Sequence, residues 1–123
     1  MCGIAGELRP REEAPEHVPA QLRCMRHRGP DAEGAFARPW AWVGQTRLSV
    51  IDLDHGDPPI ENEDGTVGVA LNGEIYNYRE LRRALREQGH VFSTEGDTEV
   101  IAHLAEDLDP VALANRLDGM FAL

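Results

Sequence analysis

Basic residues are in short supply: 12 Lys and Arg stand against 22 Asp and Glu, a formal net charge of −10. Partners rich in phosphate attract clusters of Lys and Arg, so this balance argues against nucleic acid and anionic membrane. Long apolar runs are missing too. The longest uncharged stretch, residues 65–73, is broken by polar side chains and falls well short of the ~18 apolar residues of a membrane span. The N-terminus has no basic run followed by an apolar one, so it does not read as a secretory signal, and the cytoplasm is the default setting. Cysteine is rare, with only Cys2 and Cys24, which excludes a disulfide framework. There is no CxxC pair, no HExxH, and no ligand spacing among the five histidines, so no metal site is expected. Internal repeats and low-complexity tracts are absent.

What remains is a 123-residue pattern, enough for one domain with one core. Residues 2–8 are small and apolar and read as a strand. Residues 9–15 carry two prolines and read as a loop, followed by a short helix ending near Met25. His27-Arg28-Gly29-Pro30-Asp31 is a turn cluster. Residues 34–52 suggest two or three short strands. Trp40 and Trp42 share a strand face there and read as core or interface. Residues 54–65 read as loop and 66–71 as a strand interrupted at Asn72-Gly73.

The second half reads as helical. Asn77 with Glu80 suits a capping box, Tyr78, Leu81 and Leu85 fall on one face, and Gly89 suits the C′ position. Arg79, Arg82, Arg83 and Arg86 read as a solvated helix face. Residues 91–94 suit a short strand. Asp97 starts a second helix with Val100, Ile101 and Leu104 as its apolar stripe. Asp109-Pro110 starts a third, with Leu113 and Leu117 on one face and Gly119 at its end. Residues 120–123 begin another apolar strand, so the chain reads as a domain cut mid-strand or one that takes a partner strand. Strands followed by helices argue for an α+β class.

Five segments carry chemical information together: Met1-Cys2-Gly3-Ile4-Ala5-Gly6; His27-Arg28-Gly29-Pro30-Asp31; Arg47-Leu48-Ser49-Val50-Ile51-Asp52; Asn72-Gly73-Glu74-Ile75-Tyr76-Asn77; and Gly96-Asp97-Thr98-Glu99-Val100. The stretch Leu117-Asp118-Gly119-Met120-Phe121-Ala122 fits with them. In this order, over the whole chain, they resemble the class II glutamine amidotransferases, which are N-terminal-nucleophile hydrolases. Their wording is similar to the asparagine synthetase branch. The resemblance implies a sandwich of two antiparallel sheets between helix layers, with further strands expected beyond the last segment. It also implies glutamine as ligand and a synthetase domain or subunit as partner, which would hold the ATP and Mg²⁺; this chain itself is expected to carry no cofactor. A homodimer is compatible with the resemblance. One departure stands out: Pro58 occupies a position where the family usually has Gln.

Each candidate residue has a plain reading beside the functional one. Cys2 alone would read as a buried cysteine near the first strand. In the resembled family it is the nucleophile: trimming of Met1 exposes its α-amine, whose reference pKa of roughly 7.7–8.0 lets it take up and return the thiol proton. Asn72-Gly73 alone is the strongest short turn signal; the resemblance makes Asn72 and Gly73 the oxyanion hole. Arg47 alone is a surface charge at a strand end and Asp97 a helix cap. The resemblance has Arg47 bind the α-carboxylate and Asp97 the α-ammonium of glutamine, with Val50, Ile51 and Glu74 lining the same pocket. A chain with this pattern could also be a non-catalytic, partner-binding piece, or could serve a different ammonia acceptor.

Overall fold

The computed structural model describes residues 2–8, 18–49 and 56–123. The loop expected over 9–15, the strand residues 50–52, and Met1, Val50 and Ile51 lie outside them. Strands β1 (Gly3–Leu8), β2 (Ala32–Arg38) and β3 (Ala41–Arg47) form an antiparallel sheet with β3 in the centre. Its register sets Thr46 between Gly3 and Glu33. Helix α1 (Val18–Met25) covers this sheet, packing Leu22 and Met25 against Trp42 and Ala5. Gly44 lies under Leu22, where a Cβ would come within 3.0 Å of a leucine methyl. Trp42 is buried and its indole Nε1 donates to Glu7 Oε2 at 3.1 Å. Trp40 sits in the β2–β3 turn and is 57% exposed, so the two tryptophans do not share the expected strand face.

The stretch read as a loop contains a short strand, β4 (Ile60–Glu61), paired with β5 (Gly68–Val69). Their turn is held by its own side chains. Asn62 Oδ1 accepts from Val67 N at 3.0 Å and Asp64 Oδ1 accepts from Thr66 N at 3.0 Å. Strand β6 (Asn72–Ile75) pairs antiparallel with β7 (Gly119–Ala122). Asn72-Gly73 therefore opens a strand instead of interrupting one. Gly73 adopts φ +151°, and a Cβ there would lie 2.6 Å from Phe121 Cα, so only glycine permits this approach of β6 to β7.

Helices α2 (Tyr78–Gln88), α3 (Thr98–Asp107) and α4 (Pro110–Arg116) complete the described chain. Gly89 ends α2 at φ +106°, with His90 N bonded to Leu85 O and Gly89 N to Arg86 O, both at 3.1 Å; this double bond pattern is a Schellman cap. The start of α2 departs from expectation, because the Asn77 side chain makes no capping bond. Its Oδ1 accepts from Asp118 N and its Nδ2 donates to Arg116 O, both at 3.0 Å, tying α2 to the α4–β7 junction. Asp109 does cap α4, accepting from Val111 N at 2.9 Å and Ala112 N at 3.0 Å, with Pro110 at the first position.

Helix α3 is the centre of the core. Val100, Ile101 and Ala102 are fully buried, and α3 packs on β4, β5, α2 and α4. Val69, Leu71, Ile75, Leu81, Leu85, Leu104 and Leu113 close around it, each large side chain contributing roughly 1.5–3 kcal/mol through removal from water. The strand expected at 91–94 does not form. Ser93 N and Thr94 N bond to the Glu99 carboxylate instead of a neighbouring strand, and Val91 is 70% exposed. The class is α+β with antiparallel sheets, as the pattern of elements implied.

Candidate functional site

Cys2 stands just before β1, and the β1–β3 register carries it to the far end of β3. Leu48 N donates to its Sγ at 3.5 Å. The His27–Asp31 turn braces both segments at this point. Arg28 Nε donates to Cys2 O at 3.0 Å. Asp31 N donates to Arg47 O at 3.0 Å, and Asp31 Oδ2 accepts from Ser49 N at 2.8 Å. Gly29 lies so flat on the end of β3 that a Cβ would come within 2.5 Å of the Thr46 carbonyl.

The opposite wall is the start of β6. Gln45 Oε1, from β3, accepts from Leu71 N at 2.8 Å and fixes the approach of Asn72-Gly73. Behind β6 lies Asp97. It sits at the head of α3 but makes no side-chain cap; its Oδ2 accepts from Ile75 N at 2.9 Å. The plain cap reading is thereby corrected: the carboxylate takes a backbone N–H of β6 and none from its own helix. Arg47 and Asp97 are both more than nine-tenths buried. Arg47 Nη1 lies 3.7 Å from Asp57 Oδ1, and the glycine before Asp57, Gly56, leaves no room for a Cβ beside the guanidinium.

Two buried charges hold the segment that delivers Asp97. Arg82 was read as part of a solvated face, yet it is only 6% exposed. Its Nη1 donates to Thr94 O at 2.7 Å and to Glu95 Oε2 at 3.0 Å, and its Nη2 donates to Gly96 O. The guanidinium also lies 4.7 Å over the Phe92 ring. From the other side, Glu99 Oε1 accepts from Ser93 N and Oγ at 2.8 and 2.9 Å, and Oε2 from Thr94 N and Oγ1 at 2.7 and 2.6 Å. Burial pushes the Glu99 carboxyl up, but these hydrogen bonds outweigh it and hold the group below the usual carboxylate range. Carbonyls bound to an arginine and amides bound to a glutamate thus fix residues 93–96 in one conformation.

These walls enclose a pocket of about 360 Å³, within the range of small-molecule sites. Cys2, Arg47, Asn72, Gly73, Glu74 and Asp97 all line it; Val50 and Ile51 lie outside the described residues. Gln45, Thr94, Gly96 and Thr98 line it as well, and sequence reading named none of them as site residues. Pro58, the departure from the family pattern, is also in the wall, after Gly56 and ahead of a cis bond to Pro59. A thiol, a buried guanidinium, a buried carboxylate and an Asn-Gly backbone therefore face one space. That set suits a small zwitterion with a reactive carbonyl group.

Two of the histidines meet carboxylates in the fold. Glu63, His90, His103 and Glu106 bring four ligating atoms within 4.8 Å of one another, away from the pocket. They come from three separate segments, so no local spacing in the sequence brings them together.

The chain matches known proteins in sequence and in fold. The model of a glutamine amidotransferase domain matches residues 1–123. Asparagine synthetase [glutamine-hydrolyzing] 1 of Arabidopsis thaliana is 42% identical over 125 residues, covering 99% of this chain and 21% of its own length. The Bacillus subtilis asparagine synthetase [glutamine-hydrolyzing] 1 is 39% identical over 127 residues, covering 99% and 20%. The chain thus spans about a fifth of the length of these curated relatives. Among solved structures, the glutamine phosphoribosylpyrophosphate amidotransferase of B. subtilis, complexed with ADP and GMP, superposes with a TM-score of 0.70 at 22% identity, over 99% of this chain and 34% of that one.

Proposed function

The chain belongs to the glutamine amidotransferase domain family, and on that premise we propose that it hydrolyses glutamine to glutamate and ammonia through Cys2. Its fold is the N-terminal-nucleophile hydrolase fold, α+β with antiparallel sheets, shared with the phosphoribosylpyrophosphate amidotransferase. The observation that carries the proposal is the single pocket in which the Cys2 thiol meets Arg47, Asn72, Gly73 and Asp97.

Glutamine enters with its α-carboxylate on the Arg47 guanidinium and its α-ammonium at Asp97, which aims the side-chain carboxamide at Cys2. Removal of Met1 leaves Cys2 with a free α-amine beside the thiol. The amine takes the thiol proton as sulfur attacks the carboxamide carbon. Negative charge moves to the carboxamide oxygen, where the Asn72 side-chain amide and the Gly73 N–H receive it. The C–N bond then breaks, the amine's proton goes to the leaving nitrogen, and ammonia departs. A γ-glutamyl thioester remains on Cys2. Water adds to it, passing its proton to the same amine, and glutamate leaves as the thiol is restored.

The ammonia passes to a synthetase domain or subunit, which on the model of the asparagine synthetases uses ATP to activate aspartate and yields asparagine. That partner, not this chain, holds ATP and Mg²⁺ and reads the acceptor. Both cysteines are free thiols, which suits a reducing cytoplasm, and no described helix is long and apolar enough to cross a membrane. Ammonia release from glutamine by the purified chain tests the reading, with Cys2→Ala as control and intact mass to show removal of Met1. Equal background from both proteins, or a fully active chain that retains Met1, would refute it.

A further inference from the structure

The four side chains gathered away from the pocket form a compact set. Glu63 lies in the turn between β4 and β5, His90 just past α2, and His103 and Glu106 one turn apart on α3. His103 Nδ1 is 2.8 Å from Glu63 Oε2 and 3.2 Å from Glu106 Oε1. His90 Nδ1 is 3.4 Å from Glu63 Oε1 and 3.8 Å from Glu106 Oε1. A tetrahedral ion with bonds of roughly 2.0–2.2 Å spaces its ligand atoms about 3.3–3.6 Å apart; with one donor atom per residue all four lie within 4.8 Å of one another, and the histidine–carboxylate contacts, through either Glu63 oxygen, fall on both sides of that spacing. We propose that Glu63, His90, His103 and Glu106 form a structural binding site for a divalent transition-metal cation of the Zn²⁺ type.

Three features beyond proximity support this. The charge balances: two neutral imidazoles and two carboxylates neutralise a 2+ ion, and imidazole with carboxylate is a donor set that Zn²⁺ accepts. The tautomer is consistent, since His103 is fully buried, and its Nε2 has no hydrogen-bond partner. With Nδ1 on a metal, the ring proton must sit on Nε2, which lies 3.8 Å from Glu99 Oε1. The Glu99 carboxylate is the nearest anion behind the ring and lies beyond hydrogen-bond reach, so it contributes only its charge. Finally, the position is rigid where it needs to be. His103 is wedged between the His90 and Phe92 rings, with centroids 4.8 and 4.5 Å away, while Glu63 and Glu106 remain partly exposed and leave an entry path.

A bound ion would clip the β4–β5 turn, the segment just past α2 and the second half of α3 together. It is a closed structural site and takes no part in glutamine chemistry, so it stands or falls independently of the proposed function. The test uses the purified chain stripped with EDTA. Zn²⁺ is added under calorimetric and thermal-melting readout, and Co²⁺ under visible absorption. One equivalent should bind, Co²⁺ should show the intense visible bands of tetrahedral coordination, and Zn²⁺ at about 100-fold over Kd should raise Tm by roughly 10 °C. His103 is too buried to be the sole probe, so His90→Asn and Glu106→Gln are used as well. Each should weaken Zn²⁺ binding at least about 10-fold while leaving the metal-free Tm within a few degrees, and Cys2→Ala and Cys24→Ser should leave binding unchanged. No saturable binding, binding lost with either thiol, or binding indifferent to His90→Asn and Glu106→Gln would each overturn the proposal and leave a hydrogen-bonded cluster only.

Discussion

Glu99→Gln isolates the role of the buried carboxylate that holds residues 93 and 94. The native group accepts four hydrogen bonds, two on each oxygen, and its residue is 1% exposed. Glutamine keeps one carbonyl oxygen and presents an NH2 where the second stood. A hydroxyl facing that NH2 can rotate to accept from it, but the backbone N–H beside it cannot, and a buried unsatisfied donor costs about 1–3 kcal/mol. The two bonds kept on the remaining oxygen become neutral, and lose roughly half their strength. Together these give about 3 kcal/mol. Unfolding entropy of about 2.1 cal/mol/K per residue over 123 residues turns that into a fall in Tm of roughly 10 °C. Melting of both proteins at neutral pH in EDTA measures it. The pH dependence has a definite sign. The folded-state pKa of Glu99 is depressed, so its stabilisation is fully present above the unfolded-state value and is lost as pH falls through the folded one. The gap between wild type and Glu99→Gln should therefore close on acidification. A drop in Tm under about 2 °C at neutral pH, or a gap that widens as pH falls, would refute this account of the loop.

Further outcomes follow from the same structure. Arg82→Met removes the donors to Thr94 O and Gly96 O and should raise KM for glutamine more than it lowers kcat, with Tm also reduced; steady-state kinetics in which KM stays unchanged would show that the loop does not depend on this anchor. Asn72→Ala should lower kcat by about 10²–10³ with little effect on Tm, read by ammonia release; a rate within twofold of wild type would remove Asn72 from the oxyanion site. Asp109→Ala breaks the α4 cap and should cost about 1 kcal/mol by denaturant titration while KM is unmoved, which separates a stability residue from a pocket residue.

The legible parts of the molecule were those with local causes. Gly89 and Asp109-Pro110 set helix ends through contacts within a few residues, and the structure places both ends there. The apolar spacing of Val100, Ile101 and Leu104 likewise exposes the buried face of α3. Where side chains act over long distances, local reading misled. Asn77 carries cap chemistry but spends it on Arg116 and Asp118. Arg82 sits among surface-like arginines, and only the fold brings Thr94 and Gly96 carbonyls to it. Asp97 has a cap position and a partner on β6 instead. In the pocket, residues carrying reactive groups were recognisable from their motifs. Gln45 and Thr94, which shape the same wall, have no motif of their own because their part is fixed by which backbone they reach.

The β6–β7 ladder also bears on the order in which this molecule assembles. Gly73 pairs with Phe121, and Cys2 meets Leu48 across 46 residues of sequence. Contacts that close such long loops form late, because chain entropy must be surrendered before they return anything. Helices α2, α3 and α4 pack on one another within residues 78–116, so that unit can form before either closure. A partly refolded chain would then present a near-native helical signal with no glutamine-binding site. Regain of far-ultraviolet signal on refolding should run ahead of regain of ligand binding.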